Sequence, residues 1–382
     1  MDQKEAKKTV RTYSWASFLN DMGSDMIYPI WPLFVTSLGV NMSVLGLLDG
    51  LGDAVVSLSQ AASGYVSDRI RKRKVFVWLG YLFGGLSRLG YALSTTWQHL
   101  AFFRMLDRAG KMRGAPRDAI IADLSTSRNR GGNFGLLRMM DNMGAVCGIL
   151  ICILLIESLG YRNLFLIAAV PSFISVALII SLGREKRTSE TVVYKGVRLR
   201  NLDRNFRFFL FLSALFALGS FSYSFLLIYA KMFGFRTTFV PVLYLLFTAV
   251  AAASSLPFGR LSDRIGRKAV MMIAFTLWGL VCLGFMFAKS HLVIISNFVL
   301  YGLHRGAIDT VQRAFVSELS PEPYRASCLG GFQMVVGLCA LPASVTAGVL
   351  WENIGVSAPF YFSLALTAAA TIMLAFVNRK SG

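Results

Sequence analysis

Charge is scarce in this 382-residue chain. Only 15% of its residues are Asp, Glu, Lys or Arg, where a soluble domain carries about 25%. With 55% hydrophobic residues and a mean hydropathy of +0.57, it has too little polar surface to stay in water as a monomer. Cysteine is also scarce. The five cysteines (147, 152, 282, 328 and 339) all fall in apolar stretches with no CxxC or metal-ligand spacing, so they read as small apolar side chains in helices. There is no HExxH, no GxSxG and no phosphate-binding loop, which argues against a membrane enzyme or a bound cofactor. Residues 1–11 are polar and basic, and the first apolar run is full length without a small-residue cleavage site, so no signal peptide is expected.

What the chain has instead is long apolar runs, such as 165–182 and 335–350. Runs of about 18 or more read as bilayer spans. Twelve are predicted, near 12–37, 42–66, 75–95, 99–122, 132–157, 163–182, 207–233, 238–261, 269–288, 292–317, 326–351 and 358–377. The net charge of +19 would suggest nucleic acid in a soluble protein. Here the bases sit in short connections and sort by side. Arg162, Arg236 and Lys289 are the three on one side, while the termini and the other connections hold twenty-five. That asymmetry places both termini in the cytoplasm of a multi-pass protein and leaves no nucleic-acid partner to propose. The one long polar connection divides the chain into an N-terminal six-helix half (1–182), a cytoplasmic linker (183–206) and a C-terminal six-helix half (207–382).

The halves repeat. A shift of 195 positions lays Gly64, Ser67, Asp68, Arg69 and Ile70 on Gly259, Ser262, Asp263, Arg264 and Ile265. The same shift lays Asp123-Leu-Ser on Glu318-Leu-Ser, Gly160 on Gly355 and Phe165 on Phe360. Six spans per copy give parallel repeats, related by an axis along the membrane normal, with a site between them. At Gly64-Tyr-Val-Ser-Asp68-Arg69-Ile-Arg-Lys-Arg-Lys74 and its second copy, Gly259-Arg-Leu-Ser-Asp263-Arg264-Ile-Gly-Arg267-Lys268, the chain resembles the major facilitator superfamily over essentially its whole length. Asn20-Asp-Met-Gly-Ser-Asp-Met-Ile-Tyr-Pro29 with Pro116-Arg-Asp-Ala119 is similar to a little-characterised bacterial branch. The resemblance implies an all-α membrane fold, alternating access and a bacterial inner-membrane location, with the chain acting as a monomer. A conformational latch is expected at Gly64, Asp68, Arg69, Asp123, Gly259, Asp263 and Arg264. In it Gly64 permits close helix contact, Asp68 accepts from a helix N-terminus near Gly330, and Arg69 or Arg73 pairs with Asp123.

Ionisable residues inside a span cost about 2.5–3.5 kcal/mol on insertion scales and are functional candidates. Span 1 carries Asp21 and Asp25 one turn apart, followed by Tyr28. Span 4 carries Arg104, Asp107, Arg108, Lys111 and Asp118, one stripe of a straight helix. Span 5 has Arg138 and Asp141, whose spacing predicts a pair, and span 10 has His304, Arg305, Asp309 and Arg313. Asp21, Asp25, Asp107, Asp118, Asp141 and Asp309 thus face six bases: Arg104, Arg108, Lys111, Arg138, Arg305 and Arg313. Span 7 is aromatic and hydroxylated. The resemblance implies that spans 1, 4, 7 and 10 line one cavity. The expected function is proton-coupled efflux of a small, anionic or amphipathic organic solute, held by Arg108, Lys111 and Arg305, with Asp25 or Asp21 carrying the proton. The alternative is divalent metal transport by Asp21, Asp25 and His304, whose oxygen and nitrogen donors suit a transition metal. A sensor or lipid flippase is a third class, which the charged cavity disfavours.

Overall fold

The computed structural model describes residues 3–70, 72–125, 130–183, 203–319 and 325–377, apart from the side chains of Gln3, Asp68, Arg69, Ser317 and a few residues at 130–135 and 325–327. The described residues are helical almost throughout, with no strand among them. All twelve predicted spans are present. Span 1 is Gln3–Asp25 plus Trp31–Ser37, span 2 Met42–Ile70, span 3 Arg73–Leu93, and span 4 Trp97–Ala109, a 3₁₀ turn Gly110–Arg113 and Gly114–Asp123. Spans 5 and 6 share Arg130–Leu182, whose non-helical residue is Gly160 (φ 68°). Span 7 is Arg204–Gly219 plus Tyr223–Met232. Spans 8 to 12 are Val240–Ile265, Arg267–Met286, His291–Leu319, Arg325–Asn353 and Ala358–Ala375.

The repeat reappears in the backbone. Gly39 (φ 76°) and Gly234 (φ 108°) stand 195 positions apart, as do Gly160 (φ 68°) and Gly355 (φ 141°). Each turns the chain between two spans in a region that costs other residues a Cβ clash. The breaks obey the same shift. Span 1 breaks after Asp25 and span 7 breaks at Ser220, its equivalent, and Tyr28 corresponds to Tyr223. In span 1, Pro29 supplies no N–H and biases Tyr28 away from the helical region. In span 7, the Ser222 hydroxyl caps the second segment by accepting from the Ser224 N–H at 3.2 Å.

Among the described residues, seven segments are long and apolar enough to cross a membrane, and one of them, 47 residues long, covers spans 5 and 6. Spans 1, 4 and 10, which hold most of the candidate charges, are not among the seven. Leu154, Leu292, Phe102 and Ile372 are all at least 60% exposed. Such a surface suits hydrocarbon and is unsuited to water.

The chain forms two compact units, residues 1–40 with 55–194, and residues 41–54 with 195–382. The first is centred on Tyr13, Tyr81, Ile120, Ile121 and Leu137. The second is built on aromatic contacts, among them Phe216 stacked on Phe275 at 4.0 Å and Phe285 on Phe360 at 5.5 Å. The first turns of span 2 belong to this second unit. The Met42 N–H donates to the Glu352 carboxylate at 2.6 Å, and a Cβ at Gly46 or Gly348 would strike the backbone of Ser344 or Met42.

Candidate functional site

In the first unit the charges gather around the break in span 1. Tyr28 projects from the broken segment. The Arg108 guanidinium lies 4.9 Å from its ring centre, with Nη1 donating to the hydroxyl at 3.4 Å, and the Lys111 ammonium lies 5.6 Å from the same ring. Arg104 stacks over Trp31, the next aromatic residue of span 1, at 4.1 Å. Arg108 Nε is 3.8 Å from the Asp107 carboxylate. Asp21 accepts from Arg113 at 3.3 Å and from Asn20 at 3.1 Å. Among the described residues, the side chains of Asp25 and Lys111 make no ion pair or hydrogen bond, although the fields of Lys111, Arg88, Arg108 and Asp21 all act on Asp25.

The straight stripe expected on span 4 is not what forms. The 3₁₀ turn Gly110–Arg113 advances about 120° per residue where an α-helix advances about 100°. Its neighbours let it pack tightly, since a Cβ at Gly80 would meet the Gly110 carbonyl. The extra rotation brings Arg113 and Arg117 inward, both 6% exposed. Arg117 binds both oxygens of Asp141 at 3.3 Å and donates to Ser17, whose hydroxyl is also in contact with Asp141. Asp118 leaves the stripe to pair with Arg117 at 3.3 Å and Arg138 at 2.6 Å. Arg138 and Asp141 pair at 3.2 Å, as their spacing predicts.

Arg88, in span 3, is a site residue absent from the sequence reading. It is 1% exposed. Its guanidinium donates to the Ala168 carbonyl at 3.0 Å, the Asn20 carbonyl at 3.1 Å and the Ser24 hydroxyl at 2.7 Å, and also contacts Ser172. With Arg88, Arg113 and Arg117 included, the first unit holds seven bases within its spans away from their end turns (these three, Arg104, Arg108, Lys111 and Arg138). They face five carboxylates (Asp21, Asp25, Asp107, Asp118 and Asp141). The even balance expected across the spans therefore becomes a positive excess in this unit.

In the second unit, His304 departs from its expected role. It is 2% exposed, with Nδ1 2.8 Å from the Ala274 carbonyl oxygen and its ring 5.4 Å from Trp278 and 6.0 Å from Phe216. A carbonyl only accepts, so Nδ1 carries the proton and the ring is a packed, satisfied element of the core. No group of three His, Cys, Asp or Glu among the described residues is arranged to hold a metal ion. Arg305 pairs with Asp309 one turn on at 3.1 Å, on an open face of span 10. Tyr223, Tyr244, Phe247 and Tyr301 form an aromatic wall, with Tyr223 5.3 Å from Tyr244 and Phe247 5.0 Å from Tyr301.

Asp49, 2% exposed in the first turns of span 2, accepts from the Ser222 hydroxyl at 2.7 Å and from the Ser224 hydroxyl. It holds the broken joint of span 7. Asp49→Ala leaves both hydroxyls, that of Ser224 buried, without this acceptor, and a loss of about 1–3 kcal/mol is expected. Thermal unfolding of the purified variant in detergent tests this, and an unchanged melting temperature would refute it.

At the ends of the spans, Arg73 pairs with Asp123. Arg267 pairs with Glu318, the repeat equivalent of Asp123, at 2.8 Å and lies 3.7 Å from Asp263. A Cβ added at Gly64 or Gly259 would meet Ala115 or Thr310 only at ordinary contact distance, so the close helix approach expected at Gly64 does not form. The Asp68 and Arg69 side chains, on which the expected latch depends, lie outside the described residues.

A family profile described as Major Facilitator Superfamily matches residues 13–243 and 207–382. The chain belongs to the major facilitator superfamily. It is a multi-pass membrane transporter by family, with twelve spans in two repeated halves. It is 38% identical over 385 residues to an uncharacterised MFS-type transporter of the archaeon Methanocaldococcus jannaschii, covering 98% of this chain and 96% of that one. It is 24% identical over 373 residues to the multi-drug resistance efflux pump PmrA of Streptococcus pneumoniae, covering 93% and 92%. Among solved structures, a mutant of the nucleoside transporter NupG superposes with a TM-score of 0.80 at 15% identity, covering 96% of this chain and 98% of that one. That likeness concerns the fold alone.

Proposed function

We propose that this transporter moves a small organic solute bearing negative charge across the cytoplasmic membrane, outward, by alternating access of residues 1–182 and 207–382 coupled to protons. Both termini and the linker 183–206 then face the cytoplasm. The observation that carries the reading is the ring of Tyr28 with Arg108 and Lys111 over it and Asp25 one turn before it. An ammonium and a carboxylate without ion pairs, beside an amphipathic ring, suit a ligand with an anionic group and an apolar body. The positive excess of the first unit favours an anion, and Arg305 offers a further base. Asp21, Arg104 and Asp107 set the field around the pair, while Asp309 balances Arg305. Asp25 is the proton carrier, because Asp21 is engaged by Arg113. Gly64, Asp68, Arg69, Asp123, Gly259, Asp263 and Arg264 act as the latch that biases one access state. The efflux activity in the name of the pneumococcal relative supports the outward direction.

The aromatic wall of the second unit supports a second reading, efflux of amphipathic cationic drugs. A thermal-shift screen of the purified protein against organic anions and cationic drugs separates the two. A ligand at 100 times its dissociation constant stabilises the folded form by about 2.7 kcal/mol. An anion is expected to raise the melting temperature, and Lys111→Ala to remove most of that rise. Stabilisation by cations alone would overturn the anion reading.

A further inference from the structure

Each unit carries a basic, partly apolar recess where its first span begins and its sixth span ends, the face proposed above as cytoplasmic, and the two recesses are equivalent under the repeat. In the second unit a cavity of about 680 Å³ is lined by Arg204, Asn205, Arg207, Phe208, Phe211 and Phe376. In the first, a cavity of about 510 Å³ is lined by Lys4, Lys7, Lys8 and Arg11, together with Glu5 and Leu182. Ser181, which also lines the first, corresponds to Phe376, and Thr9 corresponds to Arg204. Each recess thus lies between the first turns of span 1 or 7 and the last turn of span 6 or 12. Next to each recess a lysine reaches the last turn, the two lysines standing one position out of the repeat register. Lys74 Nζ donates to the Ile180 carbonyl at 2.9 Å, and Lys268 Nζ donates to the Ala375 carbonyl, its repeat equivalent, at 2.6 Å.

We propose that both recesses bind the phosphate-bearing headgroup of an anionic membrane lipid. Sorting the chain across the bilayer accounts for bases at this face, but it does not account for a concavity or for large apolar side chains on its rim. Phe211 and Phe376 are 61% and 71% exposed beside Arg204 and Arg207, and Leu182 is 48% exposed beside the first recess. At this depth the rim meets acyl chains while the bases meet headgroups. An arginine fork takes a phosphate through two parallel hydrogen bonds. Among the described residues, the lining of the first recess includes the Glu5 carboxylate and that of the second includes no acid, so the second is the tighter site. The inference stands apart from the transport reading, because it concerns neither Asp25 nor Lys111.

The test is native mass spectrometry of the full-length protein in detergent, titrated with phosphatidylglycerol, phosphatidylcholine or inorganic phosphate. Phosphatidylglycerol is expected to bind in up to two copies, more tightly than phosphatidylcholine and less so as salt rises. Each basic side chain near an anionic surface is worth about fivefold, so Arg204→Ala with Arg207→Ala should weaken the first lipid bound by about tenfold or more. Arg204→Lys with Arg207→Lys should restore most of that loss, and an unchanged melting temperature without lipid confirms that the fold is intact. Equal binding of the two lipids, or undiminished binding by the alanine variant, overturns the proposal. Competition by inorganic phosphate as strong as by lipid would also overturn it, in favour of a free-anion site.

Discussion

In sealed vesicles under a pH difference, Asp25→Asn is expected to reach the membrane in wild-type amounts and to exchange solute across it, yet to move none against its gradient. With one proton carried per cycle, a pH difference of one unit drives about a tenfold solute gradient, because one unit is worth 1.36 kcal/mol. The variant should sustain none. The reason lies in where Asp25 stands. It ends the first segment of span 1, just before the backbone breaks at Pro29, among the fields of Lys111, Arg108, Arg88 and Asp21. Asp21, one turn earlier, is engaged by Arg113 and Asn20, so its charge is committed. Asp25 has no such partner among the described residues. Any motion that changes the distance between span 1 and Lys111 changes the relative cost of its two protonation states. An asparagine keeps the shape and the hydrogen-bonding capacity but holds one charge state throughout the cycle. Exchange needs only the motion, whereas concentration needs the proton. Loss of both activities together would assign Asp25 to binding. Retention of both would move the proton elsewhere.

Much of this was legible in the sequence. Hydropathy located twelve spans, and the 195-residue shift paired Gly160 with Gly355, one of the two glycine pairs that turn the chain; the pair Gly39 and Gly234 was not anticipated. The breaks in spans 1 and 7 were not anticipated, because each involves at most five residues and a window long enough to find a span averages across them. Pro29 and Gly219-Ser-Phe-Ser222 were the available signals. The site was harder to read. Its span 4 stripe assumed a straight helix, and four residues of 3₁₀ geometry were enough to bring Arg113 and Arg117 inward and send Asp118 to Arg138. Helical rotation cannot be recovered from spacing once the pitch changes. The role of His304 was left open for the opposite reason. A lone histidine beside charges invites chemistry, but the neighbours that decide its role are Trp278, Phe216 and the Ala274 carbonyl, on other spans. Arg88 could have been found. It is the one charged residue between Lys74 and His99, and the cost of an intramembrane charge marks it as directly as it marks Arg108.

Arg88→Ala should be the most destabilising substitution in the first unit. The guanidinium ties three spans together: Asn20 and Ser24 of span 1, its own span 3, and Ala168 and Ser172 of span 6. Its direct partners are neutral, so the charge is met by oriented carbonyl and hydroxyl dipoles, and Asp107 acts on it without a direct contact. Truncation leaves these acceptors buried, opens a cavity the size of the side chain, and removes a charge that balances Asp107. Removing one member of a buried charged network costs about 3–5 kcal/mol. Arg88→Lys should recover only part of this. An ammonium reaches one or two of the acceptors, whereas the planar fork serves span 1 and span 6 at the same time. Thermal unfolding in detergent, read against Asp25→Asn as a variant with a near-native fold, measures the cost. A melting temperature for Arg88→Ala equal to that of the wild type would mean that the spans of the first unit hold together without this network. Arg88 would then be a substrate or proton group, with loss of transport in a fully folded protein as its signature.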